Sequence, residues 1–213
     1  MLIINSEAEA YCTSISEPES FILEEIRRDT HANVLHPRML SGHFQGRFLA
    51  MLSGLMKPRR ILEIGTYTAY STICLAEGLL EDGHIFSIDV NEELEERIHL
   101  NIQKSGLANK ITFIRGNASA IIPSLDEKFD LVFIDADKRN YEKYFDLVID
   151  KVKKNGLIVS DNVLWDGKVF NENHKDLTTL ALRKYNQKIK EDKRIQTVLL
   201  PIRDGLLMAR KIS

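Results

Sequence analysis

From Arg60 onward, short β-branched runs alternate with longer stretches of helical period. Arg60–Ile64, His84–Ile88, Ile111–Ile114 and Gly156–Val159 predict four strands. Phe129–Ile134 is almost wholly apolar and predicts a fifth, covered on both faces. Tyr70–Leu80, Asn91–Lys104, Ala118–Leu125 and Tyr141–Lys153 predict the intervening helices, with Asn91 as an N-cap. Strands and helices alternating at this spacing predict an α/β fold, a doubly wound and mostly parallel sheet. The ending breaks the rhythm. A polar helix over about His174–Lys190 leads to Ile195–Leu200, the turn Arg203-Asp204-Gly205, and Leu206–Ala209. Two strands joined by a short turn containing Asp-Gly form an antiparallel hairpin, which brings the sheet to seven strands. Ahead of the first strand, Phe21, Ile22, Leu23 and Ile26 predict a helix over Glu19–Asp29, and Phe44–Met56 predicts another. The organisation read from this is one domain over 1–213, with a helical lid or dimer region at 1–58 and the core at 59–213.

Composition changes this picture little. The chain has 213 residues, 44% hydrophobic and 28% charged, with a formal net charge of −2, so the total suggests no nucleic-acid or membrane-surface binder. No run approaches the ~18 apolar residues of a membrane span, and the first residues lack a leader pattern. A cytoplasmic protein is expected. Cys12 and Cys74 form no metal-binding spacing, and Cys74 reads as a small core residue.

Candidate chemistry begins at the turn after the first strand, Glu63-Ile-Gly65-Thr-Tyr67-Thr-Ala-Tyr-Ser71. Gly65 allows close backbone approach to a ligand, but Tyr67 stands where a dinucleotide fingerprint has its second glycine. A nucleoside ligand without a pyrophosphate fits better, and S-adenosylmethionine is such a ligand. Asp89 ends the second strand, 24 positions after Gly65, where a carboxylate binds ribose hydroxyls or else caps the next turn. Glu63, a carboxylate inside a strand, needs a partner: a ligand amino group, or an ion pair with Arg59 or Arg60.

The fourth strand ends in Asp135-Ala-Asp-Lys138 and the fifth in Asp161-Asn162. If these strands are neighbours, Asp135, Asp161 and Asn162 converge as hard oxygen donors suited to Mg²⁺, with Mn²⁺ or Ca²⁺ as alternatives. A turn at Asp-Asn and a helix cap at Asp135 is the competing reading. His31, His36 and His43 show no ligand spacing and read as surface or lid residues.

The segments LEIGTYTAYS, SIDVN, FIDADKRNYEKYF, GLIVSDNVLWDGKV and LPIRDGLLMARK resemble the metal-dependent class I O-methyltransferases that include the catechol and caffeoyl-CoA enzymes, especially small bacterial members. The resemblance, which also takes in MLSGHFQGRFLAML, covers about residues 36 to 213. It implies a Rossmann-like methyltransferase fold. It implies that Asp135, Asp161 and Asn162 hold the metal, and that Lys138 is the base acting beside Asp135. It places the cofactor against Met39, Ser41, Glu63, Gly65, Tyr67, Ser71, Asp89, Ala118 and Asp135, and the acceptor near Tyr141 and Trp165. It also implies a homodimer. Two departures stand out. Ala69 replaces a usual glycine, which a helical backbone there would tolerate, and Arg203 adds a cation to the last hairpin.

Together these readings predict methyl transfer to one hydroxyl of a vicinal diol, a catechol-like or caffeoyl-type small molecule. One alternative is a methyltransferase for hydroxylated uridine in tRNA, using a basic surface among Arg27, Arg28, Arg38, Arg47 and Lys168. Another is a non-catalytic cofactor-binding scaffold, which has no need of the Asp135, Lys138, Asp161 and Asn162 set.

Overall fold

The computed structural model describes residues 6–213. Seven strands, β1 Arg60–Ile64, β2 His84–Asp89, β3 Ile111–Arg115, β4 Phe129–Ile134, β5 Val152–Ser160, β6 Ile195–Leu200 and β7 Leu206–Lys211, form one sheet in the order β3-β2-β1-β4-β5-β7-β6. The first five run parallel; β7 is antiparallel to both β5 and β6. The predicted fold class and the closing hairpin are both present.

Eight helices flank the sheet among the described residues: α1 Ser6–Ile15, α2 Phe21–Asn33, α3 Gly42–Met56, α4 Tyr70–Ala76, α5 Glu95–Lys104, α6 Ala118–Ser124, α7 Tyr141–Val148 and α8 Leu177–Glu191. Strand side chains alternate between two buried layers, as the pleat requires. Ile61, Leu131 and Phe133 pack with Leu23, Ile26 and Leu49 of the N-terminal helices and with Ile73 and Leu75 of α4. Leu62, Ile64 and Val132 pack on the other side with Phe145, Leu182 and Tyr185 of α7 and α8. Both faces are covered, which is why β4 carries apolar residues at nearly every position. None of the helices among the described residues is long and apolar enough to cross a membrane.

Several boundaries differ from the sequence expectation. The helix α4 stops at Ala76, short of Leu80. At Gly78 a Cβ would lie 2.2 Å from the Ser53 carbonyl carbon, so this loop is pressed against α3. The helix α7 ends at Val148 rather than Lys153, because Lys151 turns back to the Val148 carbonyl and Val152 pairs with Phe129. Strand β5 therefore begins four residues early. Its first half carries Lys153, Lys154 and Asn155, with Asn155 at φ +66 and a register shift opposite Phe129–Leu131, so no apolar alternation marks it. Helix α1 falls in the region expected to be helical, although no apolar periodicity marks it; Tyr11 and Ile15 are exposed.

Candidate functional site

The chain winds outward from β1 through β2 to β3, then returns to place β4 on the other side of β1. The carboxyl ends of β1 and β4 therefore flank a topological switch point, where ligands bind in open α/β sheets. Gly65 lies there at φ +102, and a Cβ on it would sit 2.0 Å from the Asp135 carbonyl oxygen. The close approach that Gly65 admits here is to the backbone of Asp135, where the sequence reading had a ligand. Tyr67 and Ala69 follow at φ +52 and +65. The expectation of a helical backbone at Ala69 is thus corrected: it is left-handed, the conformation that favours the glycine it replaces.

Two carboxylates organise this turn. Asp89 Oδ2 accepts the backbone N–H groups of Thr66 (2.9 Å) and Tyr67 (2.8 Å), and Oδ1 accepts that of Asn91 (2.9 Å). Asp89 thus binds the glycine turn itself. Glu63 is fully buried and makes neither ion pair considered for it: Arg59 pairs with Asp82, and Arg60 with Glu127 at 3.2 Å. Its Oε1 accepts from Ser71 Oγ at 2.6 Å; its Oε2 accepts from Thr72 Oγ1 and from Ser87 Oγ. Burial pushes its carboxyl up to about 7, against the pull of the three hydroxyls. A carboxylate has about four acceptor sites, so one remains open.

The ends of β4 and β5 are neighbours, with Ile134 opposite Ser160. Lys138 Nζ lies 2.6 Å from Asp135 Oδ1 and over the Tyr141 ring at 5.1 Å. Asp161 is buried; its Oδ1 accepts its neighbour Asn162's backbone N–H at 2.6 Å. Burial, and next the charge of Asp135, push the Asp161 carboxyl up to about 6. The two carboxylates are thus close enough to repel. Asn162 stands at φ +56 on a short loop that continues through Trp165 (+49), Asp166 (+52) and Gly167 (+76). Strained backbone of this kind persists only where the surroundings hold it. Here the β6–β7 turn does so: Val163 and Leu164 donate to the carbonyls of Gly205 and Asp204, and Asp166 N–H to Asp204 Oδ1.

Among the described residues, no group of three or more His, Cys, Asp or Glu side chains is arranged to hold an ion. The predicted set contains only two carboxylates, with an amide as third donor. Its chemistry fits a hard divalent ion: two carboxylates and an amide oxygen are hard donors, and a cation there would offset the repulsion from Asp135 that adds to burial in raising Asp161.

Other predicted residues fall around this centre. Ser71 and Ser41 are buried. Ala118 opens α6 beside Asn117, after Gly116 has donated to the Asp89 carbonyl. Met39 is 59% exposed. Tyr67 reaches across to the N-terminal region, its hydroxyl donating toward the Leu35 and His36 carbonyls. Tyr141 is fully buried, its hydroxyl spent on the carbonyls of Ile134 (3.1 Å) and Asp161 (3.0 Å), so it braces both strand ends from beneath. Trp165 is partly buried with Lys168 Nζ 5.8 Å from its ring. His31 and His43 bond the carbonyls of Arg27 and Glu17. Of the proposed basic surface, Arg27 is paired with Glu19 and Arg47 with Glu77. Cys74 is buried and its thiol pushed up to about 12, the unreactive core residue expected.

Two residues of the site were not assigned to it from sequence. Gln45 of α3, fully buried, donates from Nε2 to Asp161 Oδ2 at 2.6 Å. Arg203, read only as an added cation, donates to the carbonyls of Leu40 (2.9 Å) and Ser41, tying the last hairpin to the segment before α3. The cue for Gln45 was a polar side chain in a strongly apolar helix.

A family model described as O-methyltransferase matches residues 13–212. Caffeoyl-CoA O-methyltransferase 2 of Eucalyptus globulus is 38% identical over 216 residues, covering 92% of this chain and 83% of that protein. Among solved structures, the SAH-bound methyltransferase PaMTH1 of Podospora anserina superposes with a TM-score of 0.90 at 28% identity, covering 99% of this chain and 97% of the other. The O-methyltransferase from Bacillus cereus in complex with SAH gives 0.89 at 29% identity, covering 96% and 97%.

Proposed function

The chain belongs to the O-methyltransferase family, and from that premise we propose that it transfers the methyl group of S-adenosylmethionine to one hydroxyl of a vicinal diol, a catechol-like or caffeoyl-type phenol, with a divalent ion at the same site. The observation that carries this reading is the pairing of two acidic strand ends, Asp135–Lys138 and Asp161–Asn162, beside the glycine turn. The SAH-bound relatives support the cofactor. The caffeoyl-CoA enzymes support the acceptor class.

When bound, S-adenosylmethionine supplies an electrophilic methyl on a sulfonium leaving group, and the divalent ion supplies charge that makes a nearby hydroxyl more acidic. Asp135, Asp161 and Asn162 are the residues that would hold the ion. Asp89 would accept a ribose hydroxyl at the acceptor site its three backbone bonds leave free. Glu63, through its remaining acceptor site, would bind the cofactor's ammonium, with Gly65, Tyr67 and Ser71 around the methionine part and Ala118 by the adenine. The described part of the N-terminal region, residues 6–58, would act as the lid in this reading, with Met39 and Ser41 over the cofactor; residues 1–5 of the predicted region lie outside the described residues. Lys138, whose Nζ lies 2.6 Å from Asp135 Oδ1, would take the acceptor's proton at Nζ as the neutral amine. Trp165 shapes the acceptor side, and Tyr141 keeps the two strand ends in register.

The test is a methyl-transfer screen with Mg²⁺ over catechols, caffeoyl thioesters, flavonoids and total tRNA. Transfer to a diol that stops with excess EDTA and returns with Mg²⁺ is expected. Asp161→Ala should abolish transfer while SAH affinity stays close to that of the unaltered protein. Undiminished activity after chelation, or transfer to tRNA alone, contradicts the proposal.

A further inference from the structure

Gln45 is fully buried in the first turn of α3, and its amide is half satisfied. Nε2 donates to Asp161 Oδ2 at 2.6 Å, whereas Oε1 has no hydrogen-bond partner among the described residues. A buried acceptor left without a donor is destabilising, so its retention calls for a reason. Turning the amide over would set Oε1 against the Asp161 carboxylate, so Asp161 alone dictates how the amide lies. Asp161 Oδ1 is fixed in turn by the Asn162 N–H, and the Asp161 carbonyl by Tyr141. Each carboxylate oxygen thus has one donor from the chain and keeps a lone pair.

We propose that Gln45 is a positioning residue for Asp161. Its amide sets the rotation of the carboxylate, so that the free lone pairs point where an ion shared with Asp135 would bind. This inference rests on the metal reading above. It joins α3, 116 residues away in sequence, to the ion-holding strand ends. Partners that orient a ligating side chain are typically worth roughly 10–100-fold in metal affinity.

The experiment measures Mn²⁺ binding by loss of the free-ion EPR signal, and SAH binding by calorimetry without metal. The proteins are the unaltered chain, Gln45→Leu, Gln45→Met and Asp161→Ala. Circular dichroism and melting establish folding, and Gln45→Met, matched in length, covers the case in which Gln45→Leu packs poorly. Mn²⁺ affinity is expected to fall roughly 10–100-fold in both Gln45 variants, with SAH affinity close to the unaltered value and the metal concentration for half-maximal activity raised more than kcat is lowered. Mn²⁺ affinity unchanged in the folded Gln45 variants, but lost in Asp161→Ala, overturns the role of Gln45 and leaves the metal reading standing. No Mn²⁺ binding by the unaltered chain overturns the metal reading first, and this inference with it.

Discussion

Glu63 is a buried carboxyl with three hydroxyl donors and no cationic partner among the described residues, and it is raised from 4.5 to about 7. For an acid raised by folding, the native state holds its proton when the unfolded chain has lost it. The stability is fully present below about 4.5 and falls as pH rises to about 7, beyond which the penalty is constant. Over that window the loss is about 3 kcal/mol. In the ligand-free protein, the difference in unfolding free energy between the native sequence and Glu63→Gln should therefore slope downward by about that amount from pH 4.5 to 7 and then level. Denaturant titrations across the range measure it, and a difference independent of pH contradicts a raised Glu63. The sequence showed that this carboxylate needed a partner. It did not show which, because Ser71, Thr72 and Ser87 are ordinary residues of a helix and a strand until the fold aims them at one point.

At the scale of elements, the β6–β7 turn is a brace rather than a mere reversal. Its Asp204 and Gly205 hold the strained loop after β5, while Arg203 reaches the carbonyls before α3 and lies near enough to Asp161 to lower its carboxyl. Arg203 itself stands at φ +49, where a side chain costs roughly 1–2 kcal/mol relative to glycine. Arg203→Gly should relieve that strain and remove the tie together. The expected outcome is a melting temperature within a few degrees of the native one (roughly 1 kcal/mol of change), with faster amide exchange across 38–44 and weaker SAH binding. Exchange across 38–44 unaltered by the substitution contradicts the tie. The hairpin was legible in the sequence because Asp-Gly between two apolar runs is a local signal. Its bracing role was not, since it depends on contacts some 160 residues apart. The early start of β5 was hidden for the opposite reason: a bulge and three polar residues erase the local alternation that would have marked it.

For the whole molecule, strands covered on both faces wrote themselves into the chain as apolar runs, and once their order was known the carboxyl ends of β1, β4 and β5 had to meet. That is why Asp135, Asp161 and Asn162 could be grouped from sequence alone, while Gln45, arriving from a helix outside the sheet, could not. The same geometry separates the molecule into two ends. One carries the glycine turn, Asp89, the acidic strand ends and the Arg203 tie. The other carries the loop entering β1 and the first residues of β1 and β5, where Arg59, Arg60 and Lys153 are held by Asp82, Glu127 and Asp130. A ligand bound at the switch point should stabilise the first end selectively, because only there do its contacts add to the chain's own. Saturating SAH should therefore slow hydrogen exchange across 38–45, 65–71, 89–91 and 135–138, and leave 57–59, 81–83 and 126–128 unchanged. Slowing spread evenly over both ends would mean that SAH tightens the fold as a whole. Slowing confined to 57–59 and 126–128 would move the cofactor to the opposite edge of the sheet, and the roles proposed for Glu63 and Asp89 would go with it.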